Sequence, residues 1–268
     1  MEQPPDNHWH NRSAWNRLAK MQDRLATPAT DSDFINPLSN VDRMGWLGSS
    51  VEGKRLLCLA AGGGRQGPIY AAAGAKVTVV DLSPAMLELD DKVSHQRQLN
   101  LRTIETSMDD LSMLGDASFD IVIHPVSTCY VPDLRPVYRE VARVMADGGL
   151  YISQHKQPTS LQADIEAHQG GYRVKHGYYD KSPLPEEPKA NLVRERGTLE
   201  YVHRWEELIG AMCAAGFVIE ALSEPFHAKA DPQRGSFSHR SAFLAPYVRL
   251  KARRNPRATG EEPSLLIH

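Results

Sequence analysis

Cysteine is scarce: Cys58, Cys129 and Cys213 are widely spaced in a chain of 268 residues. Three such residues make no disulfide framework, and reduced thiols in a cytoplasmic protein are expected. Long apolar runs are lacking too. Nothing approaches the roughly 18 apolar residues that a membrane helix requires, and the opening MEQPPDNHWHN has no apolar signal core. Charge of one sign is not in excess: 31 Lys and Arg against 33 Asp and Glu leave −2, which argues against a general nucleic-acid binder. The locally basic Arg249 to Arg257 (RLKARRNPR) reads as a solvated strand end and tail. His8 and His10 stand without further nearby ligands, so no metal is expected. Internal repeats and low-complexity tracts are absent, although Pro183 to Lys189 (PLPEEPK) is a Pro- and charge-rich loop.

What the chain does contain is concentrated between Leu56 and Asp81, in LLCLAAGGGRQGPIYAAAGAKVTVVD. An apolar strand runs into a glycine-rich turn, a small-residue helix and a second apolar strand that ends on a carboxylate. Gly62, Gly63 and Gly64 permit a sharp turn and close approach to a ligand, and the following helix would offer N–H groups at its positive end. Asp81 is placed to hold a ribose diol. The pattern is that of a nucleotide-cofactor half-site. Gly62, Gly64 and Gly67 also satisfy G-x-G-x-x-G with an acid about 20 residues on, so an NAD(P)-dependent oxidoreductase is one reading.

Periodicity supplies the rest of the frame. Ser13 is expected to cap an amphipathic helix carrying Trp15, Leu18, Gln22 and Leu25, and Ser83 to cap another with Pro84 at its first position. Leu134, Val137, Val141 and Val144 repeat the helical spacing before Gly148 and Gly149. Trp205, Leu208, Ile209 and Met212 repeat it before Gly216 and should set Cys213 on a core face. Strands are read at 56–59, 77–80, 121–123, 150–153, 217–221 and 247–251. Alternating strands and helices predict an α/β, doubly wound and mostly parallel sheet with helices on both faces. The expected divisions are a helical cap over residues 1–50, a cofactor core over 51–155, an inserted substrate lid over 156–203, the last core elements over 204–256 and a tail over 257–268.

Several segments together resemble the class I S-adenosylmethionine-dependent methyltransferases. Asp81 to Leu87 (DLSPAML) after a glycine turn is similar to the family's second motif. Thr106 to Leu111 (TSMDDL) resembles its adenine-reading turn after the third strand, Ser118 to Ile123 (SFDIVI) its fourth strand, and Arg143 to Ser153 (RVMADGGLYIS) its helix, Gly-Gly turn and fifth strand. Trp205 to Ala221 supplies a later helix and strand, and Asn11 to Leu18 is similar to a leader that folds over the cofactor. The chain departs from the family in carrying Cys58 and Ala60 in place of the usual acid and glycine of the first strand, and Ser107 where Asp is common.

The resemblance implies a Rossmann-like, seven-stranded fold that binds S-adenosyl-L-methionine through Ala60, Gly62, Gly63, Gly64, Asp81, Leu82, Met86, Ser107, Met108, Asp109 and His124. It also implies direct in-line methyl transfer to a small-molecule acceptor by a monomer or homodimer without nucleic-acid or membrane partners. His124, Tyr130 and His155 lie at strand ends where a base could sit. Trp15, Tyr178 and Tyr179 are the expected substrate contacts. A methyltransferase-like protein that binds cofactor without transferring methyl is the third reading, and the acceptor atom stays open.

Overall fold

The computed structural model describes residues 7–186 and 193–255. Lys189 of the Pro-rich loop and the end of the basic segment, with the expected tail, lie outside the described residues. Seven strands form one sheet: β1 Arg55–Leu59, β2 Lys76–Asp81, β3 Leu101–Glu105, β4 Phe119–His124, β5 Met145–Lys156, β6 Phe217–Ser223 and β7 Tyr247–Arg254. Their order is β3-β2-β1-β4-β5-β7-β6. The first five run parallel and β7 is antiparallel to both of its neighbours.

Alternation along β1 builds both faces of the core. Leu56 and Cys58 point to one side, with Val77, Val79, Ile121 and Ile123. That side is covered by α3 Gln66–Ala72 and α4 Pro84–Arg97, which supply Tyr70 and Leu87. Leu57 and Leu59 point to the other, where α5 Leu134–Val144 contributes Leu134, Val137, Val141 and Val144. A strand covered by helices on both sides must be apolar at successive positions, which is why RLLCL reads as a continuous run.

The helix starts follow their caps. The Ser83 hydroxyl accepts from the Met86 amide, and Pro84 stands at the first position of α4, as expected. The first helix differs from expectation: α1 runs Asn7–Lys20, so Ser13 lies within it and caps nothing. Its first turn, NHWHNR, carries no apolar period to reveal it. The helix stops before Gln22, whose φ is +51, and Leu25 falls in a separate short turn.

Three further positions depart from expectation. Gly148 and Gly149 do not precede the fifth strand; they form an irregularity inside β5, where Met145 pairs with Phe119 and Leu150 with Ile121. Cys213 is exposed rather than on a core face. Leu208 and Met212 point inward, and one further residue turns the side chain by about 100°. This helix opens with a π-helical turn, Glu206–Gly210, before α7 Ala211–Ala214. The basic segment is a strand end as expected, though the strand runs on to Arg254, with Lys251 and Arg253 paired to Glu220.

The inserted segment is tied down at several places. Its helix α6 Pro158–Gln162 is clamped by the buried Arg240 of α8 Phe237–Ser241, whose guanidinium donates to the Ser160 hydroxyl and to the carbonyls of Ser160, Ala163 and Asp164. Farther on, the Tyr201 amide donates to the Cys129 carbonyl at 2.8 Å. No helix of the described residues is long and apolar enough to cross a membrane.

The packing of α3 on the sheet leaves no room at Gly67, where an added Cβ would stand 2.5 Å from Val79 Cγ2 and 3.2 Å from Asp90 Oδ1. Gly67→Ala should therefore lower stability by about 1–3 kcal/mol through overpacking. Urea unfolding of the two proteins checks this, and an unchanged midpoint would contradict the close approach.

Candidate functional site

The strand order reverses between β1 and β4, and in an open α/β sheet a crevice forms at the carboxyl ends of the strands there. A cavity of about 330 Å³ occupies that place. Its floor is the turn after β1, with Ala60, Gly62, Gly63 and Gln66. Asp81, Leu82 and Met86 line one side, Ser107 and Met108 another, and Ser127 and Tyr130 a third. The cover is α1: Asn7, Asn11 and Trp15 recur every four residues on one helix face and all look into the cavity. Asn11 Nδ2 donates to the carbonyls of Tyr130 and Leu199 at 3.0 and 3.2 Å and its Oδ1 accepts from the Leu199 amide, while Asn16 Oδ1 accepts from the Ser83 hydroxyl.

The glycine turn spends its amides on carboxylates. Gly62 N donates to Asp81 Oδ2 at 2.9 Å, and Gly63 N to Asp90 Oδ2 at 2.8 Å. The Gly62 and Gly63 amides are thus already taken by acids of the protein itself. Asp81 Oδ1 accepts from Ser83 N, and burial outweighs these bonds to push the carboxyl up to about 6. Asp90 is fully buried and is pushed to about 7, again by burial first. Gln66, at the cavity wall, has a buried side-chain oxygen with no partner among the described residues. Acceptors under the turn suit a ligand that brings positive charge and donors, and they oppose a pyrophosphate. Ala60 sits at φ +49, a left-handed conformation that favours glycine.

Of the expected cofactor contacts, Ala60, Gly62, Gly63, Asp81, Leu82, Met86, Ser107 and Met108 line the cavity. Gly64, Asp109 and His124 do not. Gly64 packs within the turn on Leu89, and Asp109 pairs with His8 at 3.1 Å, placing that histidine at the cavity rather than on a solvated terminus.

Among the expected catalytic residues only Tyr130 reaches the wall. His124 is buried between the Tyr151 hydroxyl and Ser127 Oγ, each 2.7 Å from a ring nitrogen, and His155 is buried between Thr128 and Ser153 at 2.8 Å on both sides. β-strand alternation turns both rings into the core. Burial depresses both imidazoles to about 3, so at neutral pH they are uncharged packing and hydrogen-bonding groups, poorly matched to taking a proton from an acceptor.

Trp15 is at the cavity, edge-on to Tyr130 at 5.8 Å. Tyr178 and Tyr179 are not: they meet edge to face beside Tyr201, His203 and Arg204, in a separate small hollow. No described residue of 156–203 lines the cavity, so the expected lid over it is replaced by α1. The insertion instead stands behind Tyr130, whose hydroxyl donates to Glu195 at 2.8 Å. Lys156 bridges Glu195 and Glu200 in the same buried cluster.

Sequence reasoning did not find Asn7, or a role for Asn11 beyond its place in the leader, nor did it find Gln66, Asp90 or Ser127. The four-residue recurrence of Asn7, Asn11 and Trp15 was the signal available for the first two, and a lone acid on the inner face of α4 was the signal for Asp90.

This sheet order, with an acid closing the second strand over a glycine turn, defines a nucleotide-cofactor-binding α/β enzyme class. The methyltransferase-domain family matches residues 57–153. The uncharacterized methyltransferase YbaJ of Bacillus subtilis (strain 168) is 34% identical over 229 residues, spanning 80% of this chain and 89% of YbaJ. Among solved structures, an S-adenosylmethionine-dependent methyltransferase from Mesorhizobium loti superimposes with a TM-score of 0.62 at 20% identity, covering 81% of this chain and 97% of that one. The 1,6-didemethyltoxoflavin-N1-methyltransferase of Burkholderia thailandensis, with S-adenosylhomocysteine bound, does so at 0.56 and 17% identity, covering 95% and 92%. The chain belongs to the class I S-adenosylmethionine-dependent methyltransferases, and S-adenosyl-L-methionine is its cofactor. The oxidoreductase and non-catalytic readings gain no support from these likenesses.

The histidine geometry carries a pH consequence. His124 takes a proton at its ordinary value near 6.5 when unfolded but only at about 3 when folded, so its contribution to stability is full above 6.5 and falls as the pH drops. His124→Gln removes that loss. The stability gap between the parent and this variant should narrow by about 1.4 kcal/mol per pH unit between pH 6 and 4. The raised carboxyls of Asp81 and Asp90 act with the opposite sign in both proteins and cancel in the comparison. Urea unfolding at each pH measures it; a constant gap would show that His124 titrates normally.

Proposed function

We propose that this enzyme transfers the methyl group of S-adenosyl-L-methionine directly to a small-molecule acceptor. The observation that carries the reading is the cavity itself, in which an acid-lined glycine turn and Asp81 meet an aromatic wall of Trp15 and Tyr130 beneath the α1 cover. Asp81 would hold the ribose hydroxyls, Ser107 and Met108 the adenine edge, and the Gln66 oxygen and the floor of the turn the methionine end. The cofactor supplies an activated methyl group on a sulfonium leaving group, so positioning and exclusion of water provide much of the rate.

Trp15 and Tyr130 would orient the acceptor. Burial and the neighbouring Glu195 hold the Tyr130 phenol well above its usual value, so it serves as a neutral hydrogen-bonding group rather than a phenolate base. The insertion, through Glu195, fixes the direction of that hydroxyl. A cavity of about 330 Å³ covered on one side by α1 favours a small acceptor over a polymer, and the compound named for the Burkholderia relative is likewise small. We place the enzyme in the cytoplasm, where its three free thiols would stay reduced.

Calorimetry should show binding of S-adenosylmethionine and S-adenosylhomocysteine and none of NAD or NADP. Asp81→Ala should weaken that binding by roughly 1.5–3 kcal/mol, the cost of losing a charged acceptor. Preference for a nicotinamide cofactor would sink the reading. Isotope-labelled methyl from the cofactor, offered with a cell extract, should appear in the low-molecular-mass fraction; label confined to protein or nucleic acid would exclude a small acceptor.

A further inference from the structure

Asp90 is an acid with no outlet to solvent. It lies on the inner face of α4, fully buried, one oxygen accepting the Gly63 amide at 2.8 Å and the other without a hydrogen-bonding partner. That second oxygen faces Gly67, with Val79 alongside. Val79 pairs in register with Cys58 of β1, and the charge of Asp90 is one of the influences raising the Cys58 thiol, after burial. Strand and helix thus bring Cys58 and Asp90 to the same buried space beneath the glycine turn, one neutral and one acidic. A buried carboxylate is costly and persists where something compensates it. The Gly63 and Gly64 amides give it dipoles, but among the described residues no Lys or Arg is bonded to it.

We propose that Asp90 is a positioning residue of the cofactor site. From beneath, its carboxylate holds the glycine turn in shape and sets a negative field that reaches the sulfonium of S-adenosylmethionine. The inference rests on the methyltransferase reading and names the missing compensation: a cation in the cavity above the turn. Gly62 and Gly63 then form a layer between Asp90 and the ligand, through which its charge acts without contact. An acid on the strand at residue 58 would serve the same space. In this chain the helix supplies it, and the strand position is left to a thiol.

Calorimetry on the intact chain at pH 8, above the value of about 7 to which burial pushes the Asp90 carboxyl, tests the field with two ligands that differ in charge at one atom. S-adenosylmethionine carries a sulfonium, and S-adenosylhomocysteine a neutral sulfur. Asp90→Asn keeps the shape and the acceptor for Gly63 and removes the charge. Its Kd for S-adenosylmethionine should rise about fivefold more than its Kd for S-adenosylhomocysteine, as expected for a charge lost at several ångströms in an intermediate dielectric. Equal weakening of both, or of neither, would overturn the proposal, because a purely structural role cannot read the charge on sulfur. If Asp90→Asn fails to fold, the exchange Cys58→Asp with Asp90→Cys returns a carboxylate to the same space from the strand. Retained preference for the sulfonium ligand supports the proposal, and lost preference in a folded protein refutes it. A parent protein that binds neither ligand refutes the methyltransferase reading instead, a result distinct from a parent that binds both and a variant indifferent to charge.

Discussion

The site depends on one carboxylate that joins two turns. Asp81 takes the Gly62 amide on one oxygen and the Ser83 amide on the other, so the loop leaving β1 and the start of α4 are held to a common point. Remove that bracket and the floor and one side of the cavity lose their fixed relation. The Ser83 hydroxyl extends the same bracket in two directions, capping α4 and donating to Asn16 of the covering helix. Core, floor and cover are therefore set by a chain of short polar contacts rather than by apolar packing alone.

Much of the frame was legible because burial on both faces of a parallel sheet leaves continuous apolar runs. The strands around Leu56, Val77 and Ile121 and the helix through Leu134 and Val144 carry that mark. Leu101–Glu105 carries little of it: as an edge strand with exposed Arg102 and Glu105, it was placed only by the turn that follows. Asn7–Lys20 was legible in its second half alone. Its first half contacts a cavity and polar backbone groups, so its buried face is made of asparagines, which no hydrophobic period can show.

The candidate site divides in the same way. Glycine spacing and the acid ending β2 have local signatures, and Gly62, Gly63 and Asp81, though not Gly64, line the cavity. His124 and His155 have none. Being at a strand end fixes a residue's height on the sheet but not its face, and both rings turn inward to the hydroxyls of Tyr151, Ser127, Thr128 and Ser153. Tyr178 and Tyr179 lie in a segment without period, so their distance from the cavity depended on packing by Arg240 and Tyr201 that only the folded chain reveals. Asp90 was hidden for another reason: an acid in a helix is normally read as surface.

Asn11 links three parts of the chain, since its amide group bonds Tyr130 on the wall and both backbone groups of Leu199 in the insertion. Any exit route that lifts the first helix must break all three bonds together. Lifting that helix would therefore open the cavity in one concerted step, and substitution of Asn11 would loosen the cover while leaving the bond between Gly62 and Asp81 in the floor intact.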